Sequence, residues 1–280
     1  MISLLILLDF QRIKAWNPVS NQSEIILNTA EFGSAFSKTS VIAATDEHVF
    51  VGGYSGEIVY KSLEGLNEPA RLKSYSTDPN CITNHMYPLP EDHKLLVSCN
   101  DCTLRMFDLG TGKIKSLARF PYAINASEVD PSRKMIACAG DSRKLRLLDY
   151  QGHYEIASLE GHSDYIFSCT WSPCGRFVVS GSQDHTALVF DVRNPRKPLH
   201  TLAARMAAIR RVSFSPDGTV LAVMEADDYV SLYSTASDYR EAQVIDFFGE
   251  ISGIAFDPTG SSLYIGCAGM ENGGLMEFKR

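Results

Sequence analysis

Three residues of one short segment carry the side chains of a Ser-His-Asp hydrolase site. His162, Ser182 and Asp184 lie within residues 161–191, which read GHSDYIFSCTWSPCGRFVVSGSQDHTALVFD. In such a site the histidine takes the proton of the serine hydroxyl, and the aspartate orients the imidazole ring. Whether these three side chains do that chemistry depends on the elements that position them.

Two cysteines form a second candidate centre. Cys99 and Cys102 bracket the sequence CNDC, a spacing typical of redox pairs and metal sites. A structural zinc ion needs four ligands, and no further pair is spaced to complete the set. Asp101 stands six residues before an aromatic strand end, as Asp184 does, so the two cysteines are predicted to bracket an ordinary hairpin. We therefore predict neither a metal nor a cofactor.

The remaining sequence shows no other pattern of an active site. It has no P-loop, no dinucleotide fingerprint after a strand, no HExxH and no EF-hand loop. The net charge of -7, from 33 acids against 26 bases, disfavours binding to phosphate backbones, so no nucleic-acid partner is expected. The apolar run Ile2–Leu8 is too short to span a bilayer, so no membrane partner is expected either.

Turn prolines recur at a nearly constant spacing. They stand 42, 43 and 42 residues apart in the turns DPSR, SPCG, SPDG and DPTG, at Pro131, Pro173, Pro216 and Pro258. Apolar and β-branched runs such as RFVVS and VLAVM are bounded by Gly, Asp, Asn and Pro, which is typical of strands. No window shows helical periodicity. The sequence therefore predicts an all-β fold with almost no helix.

The segment 161–191 resembles a WD repeat, with Phe190 where that family usually has Trp. The spacing of the turn prolines matches the roughly 40–45 residues of one such repeat. The residues that close the third strand of each repeat are Trp16, Tyr60, Phe107, Leu148, Phe190, Tyr233 and Phe278. The resemblance implies a WD-repeat β-propeller of seven-bladed design, with incomplete first and last blades: six complete or near-complete blades plus a partial one.

The ends of the chain lead to an expectation about its domain. Met1 starts directly on an apparent second strand, and Arg280 ends the chain before any fourth strand of the last repeat. We expect residues 1–280 to form a single WD-repeat β-propeller domain that lacks an N-terminal segment.

The resemblance also gives the candidate triad a structural meaning. In WD repeats the Gly-His histidine binds the tight-turn aspartate, and a serine of the second strand links it to the third strand. The resemblance therefore implies a structural hydrogen-bond network of His162, Ser182 and Asp184 rather than a catalytic site. Phe190 lacks the indole N–H that would extend this network.

Positions where the repeats differ from one another indicate where a partner binds. The position eleven residues before the turn proline holds a histidine, His162, in only one of the four repeats that have such a proline. We call the segment that precedes the first strand of each repeat the lead-in loop, and we expect these loops to form a partner-binding rim. Its candidate residues are Phe120, Tyr122, Arg205, Met206, Phe247 and Phe248. Aromatic residues, Met and Arg dominate interface hot spots, although Phe120 and Phe247 could instead face inward.

A second candidate surface is the FDVR sequence. Residues 178–193 resemble the box by which some WD-repeat proteins dock onto the DNA-damage-binding adaptor of cullin-4 ubiquitin ligases. The resemblance implies that Arg193, aided by Asp191, would contact the adaptor. The alternative is a local ion pair of these two residues, worth under about 1 kcal/mol.

These observations predict a binding protein. Phrases such as AIRRVSFSPDG and LYIGCAGMENGGLMEFKR are similar to a sparsely characterised group of plant and fungal WD-repeat proteins. The seven cysteines fit free thiols in a reducing compartment. We expect a non-catalytic protein–protein interaction scaffold or adaptor that binds other proteins and is cytoplasmic and/or nuclear. The alternatives are a substrate receptor of a cullin-4 ligase and, more distantly, a propeller enzyme.

Overall fold

The computed structural model describes residues 5–9, 11–18, 20–64, 68–78, 80–268 and 274–280, without the side chains of Leu5, Leu7 and Phe248. These ranges hold 25 β-strands and two short 3-10 helices, Thr29–Ala35 and Pro90–Asp92. The prediction of an all-β chain with almost no helix is therefore confirmed for the described residues. The chain divides into two compact units, Met1–Ile124 and Asn125–Arg280.

The first unit contains three antiparallel sheets. The first sheet has three strands, β1 (Leu5–Asp9), β2 (Arg12–Asn17) and β3 (Gln22–Asn28). The second has four, β4 (Thr39–Ala44), β5 (His48–Gly53), β6 (Glu57–Ser62) and β7 (Arg71–Ser74). The third also has four, β8 (Thr83–Leu89), β9 (Lys94–Cys99), β10 (Thr103–Asp108) and β11 (Lys113–Arg119). In each sheet a strand pairs with the strand that follows it in the chain.

The second unit continues the same pattern. One four-stranded sheet is formed by β12 (Ile124–Val129), β13 (Met135–Gly140), β14 (Lys144–Asp149) and β15 (Glu155–Glu160). The next is formed by β16 (Ile166–Trp171), β17 (Phe177–Ser182), β18 (Thr186–Asp191) and β19 (His200–Ala203). A six-stranded sheet follows, with β20 (Ile209–Phe214), β21 (Val220–Glu225), β22 (Asp227–Ser234), β23 (Ala242–Phe256), β24 (Ser262–Cys267) and β25 (Gly274–Lys279).

Strand β23 belongs to two repeats at once. Its first half pairs with β22 and its second half with β24, so the six-stranded sheet is a four-stranded repeat and a three-stranded repeat that share one long strand. The described residues thus form seven repeats, of which the first and the last have three strands. This arrangement confirms the seven-bladed design with incomplete first and last blades.

Within each unit, the core lies between successive sheets. In the second unit, Val179 and Val189 of one sheet pack in the same cluster as Val212 and Leu221 of the next. The middle strands are covered on both faces, which is why they read as continuous apolar runs rather than as an alternating pattern. Phe190 is 1% exposed, and its burial stabilises the fold by about 1.5–3 kcal/mol.

The recurring proline turns join the first and second strands of the repeats. Gly175 takes a left-handed φ of 68°, where glycine has no steric cost, and its N–H donates to the carbonyl of Ser172 at 2.8 Å. Arg133 takes the same role with a φ of 55°. The hydroxyl of Ser172 also accepts the N–H of Phe177 at 2.9 Å, so the side chain and the backbone both fix the turn.

Among the described residues, no helix has the length and apolar character that a membrane crossing requires.

Candidate functional site

His162 is the centre of a buried hydrogen-bond network. It lies in the lead-in loop of β16, and its Nδ1 is 2.9 Å from Oδ2 of Asp184, in the turn between β17 and β18. Its Nε2 is 2.8 Å from Oγ of Ser180. The hydroxyl of Thr186 donates to the other carboxylate oxygen of Asp184 at 2.6 Å. The structure thus places His162 and Asp184 within hydrogen-bonding distance.

The predicted role of Ser182 is wrong, because the serine that contacts His162 stands two residues earlier. The hydroxyl of Ser182 donates to the carbonyl of Tyr165 at 2.7 Å and accepts the N–H of Asp184 at 3.1 Å. Ser182 is paired with Ile166 at the end of the strand ladder, whereas Ser180 lies deeper in the sheet. Ser182 therefore shapes the turn that presents Asp184, while Ser180 completes the histidine network.

The order Ser180, His162, Asp184 is that of a hydrolase triad, but its burial gives it a structural role. Ser180 is fully buried and His162 is 7% exposed, so a substrate carbonyl cannot approach the serine hydroxyl. Burial lowers the pKa of His162, and the raising effect of the Asp184 carboxylate does not compensate. A neutral imidazole at this position joins a loop, a strand and a turn of one repeat through its hydrogen bonds.

In other repeats a carboxylate fixes the lead-in loop without a histidine. Glu57, which begins β6 and is 3% exposed, accepts the N–H of Ser37 at 2.6 Å and the N–H of Ser55 at 2.7 Å. The hydroxyl of Ser37 also donates to it. The sequence analysis did not identify Glu57. Its signal is an acid directly before the apolar run of residues 58–60.

Glu225 does the same in the second unit. It ends β21 and is 1% exposed, and its carboxylate accepts three backbone N–H groups of the lead-in loop of β20. The donors are Arg205 at 2.8 Å, Met206 at 2.9 Å and Ala207 at 2.8 Å. One buried side chain therefore holds three consecutive residues of this loop, of which Arg205 and Met206 belong to the predicted rim.

The side chains of that loop point to the surface. Met206 is 64% exposed, the highest value among the exposed large apolar residues of the described chain. Arg205 is exposed as well, and its guanidinium lies 5.9 Å from the centre of the Tyr229 ring. An exposed methionine beside an arginine on a fixed loop has the composition of an interface hot spot.

The aromatic residues predicted for the rim divide between the two units. In the first unit, Phe120 and Tyr122 are half-buried, and their ring centres are 5.7 Å apart. The N–H of Phe120 donates to the carbonyl of Cys102 at 2.8 Å, which ties this segment to the β9–β10 turn. A rim that is continuous from these residues to Arg205 and Met206 stays a prediction.

The prediction that Phe247 and Phe248 lie in a lead-in loop is wrong. Both residues belong to the continuous strand β23. The ladder absorbs the extra residues in a bulge, where Gly249 donates its N–H to the carboxylate of Asp228 at 2.9 Å. Phe247 is 9% exposed and packs edge-on against Phe278 at 5.9 Å, which is the inward alternative for this residue. The side chain of Phe248 lies outside the described residues.

In the FDVR sequence at the end of β18, two arginines form ion pairs with one aspartate. The guanidinium of Arg193 donates to both oxygens of Asp191, at 3.0 and 2.8 Å, and Nε of Arg176 donates to the same carboxylate at 2.9 Å. The hydrogen bond from Arg193 lowers the pKa of Asp191. The side chain of Arg193 is 64% exposed, so it is accessible although it is paired.

The cysteines of the CNDC sequence are separated by the fold. Cys99 ends β9 and is fully buried, whereas Cys102 lies in the following turn. A cysteine that the sequence analysis missed, Cys81, joins Cys99 and Asp101 in a cluster whose ligand atoms all lie within 4.8 Å of one another. Cys81 is 18 positions from Cys99 in the chain, so no local spacing motif reveals it.

Glu128 of β12 is a further titratable group that the sequence analysis missed. The N–H of Trp171 points to its carboxylate at 3.3 Å, and the indole N–H of Trp171 donates to the backbone carbonyl of Glu128 at 3.2 Å. Burial raises the pKa of Glu128 to about 7 despite the opposing charge of Arg211. Near neutral pH this side chain is therefore partly protonated.

Comparison with known proteins agrees with the repeat architecture. The family model described as WD domain, G-beta repeat matches residues 154–191. An uncharacterized protein of Schizosaccharomyces pombe is 26% identical over 79% of this chain and 69% of its own length. The protein transport protein sec13 of Aspergillus oryzae is 32% identical over 39% of this chain, and the match spans only 40% of that relative. The similarity to plant WD-repeat proteins stays a prediction.

A solved structure carries the same fold. A chain from the crystal structure of the mitotic checkpoint complex superposes with a TM-score of 0.84, covering 100% of this chain and 84% of that chain. At 13% sequence identity this likeness concerns the fold alone. The repeat match, the relatives and the shared architecture of antiparallel sheets agree with one another. The chain therefore carries a WD repeat within an architecture of repeated antiparallel sheets, as WD-repeat β-propeller proteins do.

Proposed function

We propose that the chain is a non-catalytic protein–protein interaction scaffold or adaptor of the WD-repeat family. The observation that carries this proposal is the loop of residues 205–207, whose three N–H groups are held by Glu225 while Met206 is 64% exposed. The fold fixes the backbone of this loop and leaves its side chains free to contact a partner. We call residues 205–207 the binding loop.

A fixed loop lowers the entropic cost of binding. Ordering a mobile side chain at an interface costs about 0.5–1.5 kcal/mol, and a backbone that is already fixed adds little to that cost. Burying an exposed methionine contributes about 1.5–3 kcal/mol. The thioether of Met206 adapts to irregular surfaces, and the guanidinium of Arg205 supplies several hydrogen-bond donors beside it. The combination suits a protein partner with an apolar contact point next to hydrogen-bond acceptors.

We also propose a cytoplasmic and/or nuclear location. All seven cysteines are free, which fits a reducing compartment. Fluorescence of the tagged chain, beside cytoplasmic and nuclear markers, tests this location.

The proposed function is tested by affinity purification of the tagged chain followed by mass spectrometry. Arg205→Glu and Met206→Ala are expected to lose a common set of partners while the melting temperature stays within about 2 °C of the unmodified chain, since surface substitutions change stability by under about 0.5 kcal/mol. Partners that survive both substitutions would contradict a role for the binding loop.

Arg240→Glu is the matched control for the charge reversal. Arg240 has a side chain that is 82% exposed and follows the far end of β22, an eight-residue strand that spans about 25 Å. The control introduces the same charge change in the same unit, away from the binding loop. It is expected to retain the partner set.

Docking on a cullin-4 ligase adaptor through Arg193 stays an alternative prediction. Because Arg193 is exposed but paired with Asp191, docking would have to compete with that ion pair. Recovery of the adaptor that is lost with Arg193→Ala, and retained with Arg205→Glu, would support this alternative over the binding loop.

The single WD-repeat domain of residues 1–280 likewise remains a proposal. One domain is expected to unfold in a single transition, with coincident loss of circular dichroism and tryptophan fluorescence. Two separated transitions would contradict it.

A further inference from the structure

The cluster of Cys81, Cys99 and Asp101 brings together three potential metal ligands from three segments of the first unit. Cys81 lies between β7 and β8, Cys99 ends β9, and Asp101 lies in the turn before β10. Both cysteines are fully buried, and the side chain of Asp101 is 14% exposed. The cluster is thus a convergent, water-poor group of soft and hard donors rather than a surface patch of acids.

The spacing of the donor atoms fits one small cation. The two sulfurs and a carboxylate oxygen lie within 4.8 Å of one another. In a tetrahedral zinc site, Zn–S bonds of about 2.3 Å place two sulfurs about 3.8 Å apart. A contraction of about 1 Å or less in each pair would therefore bring the three atoms to coordination distance.

Arg105 and Tyr75 surround these donors as outer-shell partners do in metal sites. The guanidinium of Arg105 donates to Oδ1 of Asp101 at 2.8 Å and also to Oδ2. A carboxylate offers about four lone-pair positions, so this pairing orients Asp101 and leaves room for a cation. The hydroxyl of Tyr75 is 3.4 Å from the sulfur of Cys99, close enough to donate to a thiolate.

The charges of the cluster balance with a divalent cation in place. The guanidinium of Arg105 forms an ion pair with the carboxylate of Asp101, so these two charges offset each other. When a divalent cation binds, the two thiols lose their protons and become thiolates. The two negative charges of the thiolates then match the two positive charges of the cation. The net charge of the buried group stays unchanged, which avoids the large cost of burying an unbalanced charge.

We propose that Cys81, Cys99 and Asp101 bind one thiophilic divalent cation of the Zn²⁺ class, with a water molecule in the fourth position. Thiolate ligands select such ions over Mg²⁺ and Ca²⁺. The ion would join the loop before β8 to the β9–β10 hairpin, where one backbone hydrogen bond, from Asn100 N–H to the carbonyl of Ile82 at 2.9 Å, already links the two segments.

The test uses the full chain, reduced and stripped of metal with a chelator, and then titrated with Co²⁺ and Zn²⁺. One Co²⁺ per chain is expected, with a thiolate-to-cobalt absorption band that Zn²⁺ abolishes. Cys81→Ser and Cys99→Ser are each expected to weaken Zn²⁺ binding by more than about 100-fold, beyond the 10–100-fold that loss of an outer-shell partner costs.

Cys102→Ser is the matched control, because Cys102 is the neighbouring cysteine of the CNDC sequence and lies outside the cluster. It is expected to retain the band. Loss of the band with Cys102→Ser but not with Cys81→Ser would overturn the proposal.

The unmodified chain also decides the matter if a cysteine variant does not fold. A folded chain that gives no thiolate-to-cobalt band at a several-fold excess of Co²⁺ overturns the proposal. A band accompanied by Zn²⁺-dependent protection of Cys81 and Cys99 from alkylation, located by peptide mass spectrometry, supports it.

Discussion

Removing the carboxylate of Glu225 should release the binding loop. Glu225→Ala deletes one acceptor group that serves three backbone N–H donors at 2.8 to 2.9 Å. Hydrogen bonds to a charged group contribute about 1.5–3 kcal/mol each, so full loss would approach 5–9 kcal/mol. Because Arg205 and Met206 are exposed, their N–H groups can bind water once the loop moves. We therefore expect a loss of about 3–4 kcal/mol in the free energy of unfolding.

Glu225→Gln provides a graded comparison. One carboxylate oxygen accepts the N–H of Arg205, and the other accepts those of Met206 and Ala207. An amide keeps a single acceptor oxygen and turns its NH2 toward the remaining donors, so we expect about half of the loss seen with alanine. Glu241→Ala, at an exposed acid of the same unit, is expected to change stability by under about 0.5 kcal/mol.

Urea unfolding measures the global effect, and hydrogen exchange measures the local one. In Glu225→Ala the amides of residues 205–207 should lose protection before the rest of β20 and β21 does. Partner recovery should fall in parallel, although no contact side chain has changed. A loss below about 1 kcal/mol with unchanged protection of the loop would refute the conclusion that Glu225 holds it.

Two further predictions concern Ser180 and Glu128 in the second unit. Ser180→Ala should lower the free energy of unfolding by about 1–3 kcal/mol and change the NMR-detected pKa of His162, because it removes the partner of Nε2. Ser182→Ala should leave that pKa unchanged. The reverse result would restore the role predicted for Ser182. Glu128 has a pKa raised to about 7 from 4.5, so its protonated form favours the folded state at low pH, and this contribution is lost as the pH rises through 7. Glu128→Gln cannot ionise, so it should stabilise the chain by up to about 3 kcal/mol at pH 8 and have little effect at pH 4.5, as measured by urea unfolding at both values. Equal effects at both pH values would show that packing, not ionisation, distinguishes the two side chains.

The strands could be predicted because they depend on local sequence, whereas the pairing of His162 with Asp184 was expected from the resemblance to WD repeats. Turn prolines at nearly constant spacing and apolar runs between them place the strands of each repeat. The position of Asp184, six residues before Phe190, places it in the tight turn that faces the lead-in loop. The residue spacing within one repeat is set by strand length, and strand length is set by the turns.

The histidine's second partner could not be predicted so closely. Ser180 and Ser182 point to the same face of β17, because side chains alternate along a strand. Choosing between them requires the depth at which the lead-in loop inserts the imidazole ring. That depth is a property of the folded repeat, and a sequence pattern does not contain it.

The amino-acid sequence by itself determined the all-β class, the repeat and the number of repeats, because these follow from short-range turn chemistry and strand propensity. Only the tertiary structure decided which side chains meet across distant segments. In the folded chain Cys81 lies beside Cys99, the carboxylate of Glu225 accepts N–H groups of the binding loop, and the side chain of Phe247 is buried in the core. These contacts depend on how sheets stack and loops cross. Stacking is set by the packing of many residues together, and no spacing between two residues records it.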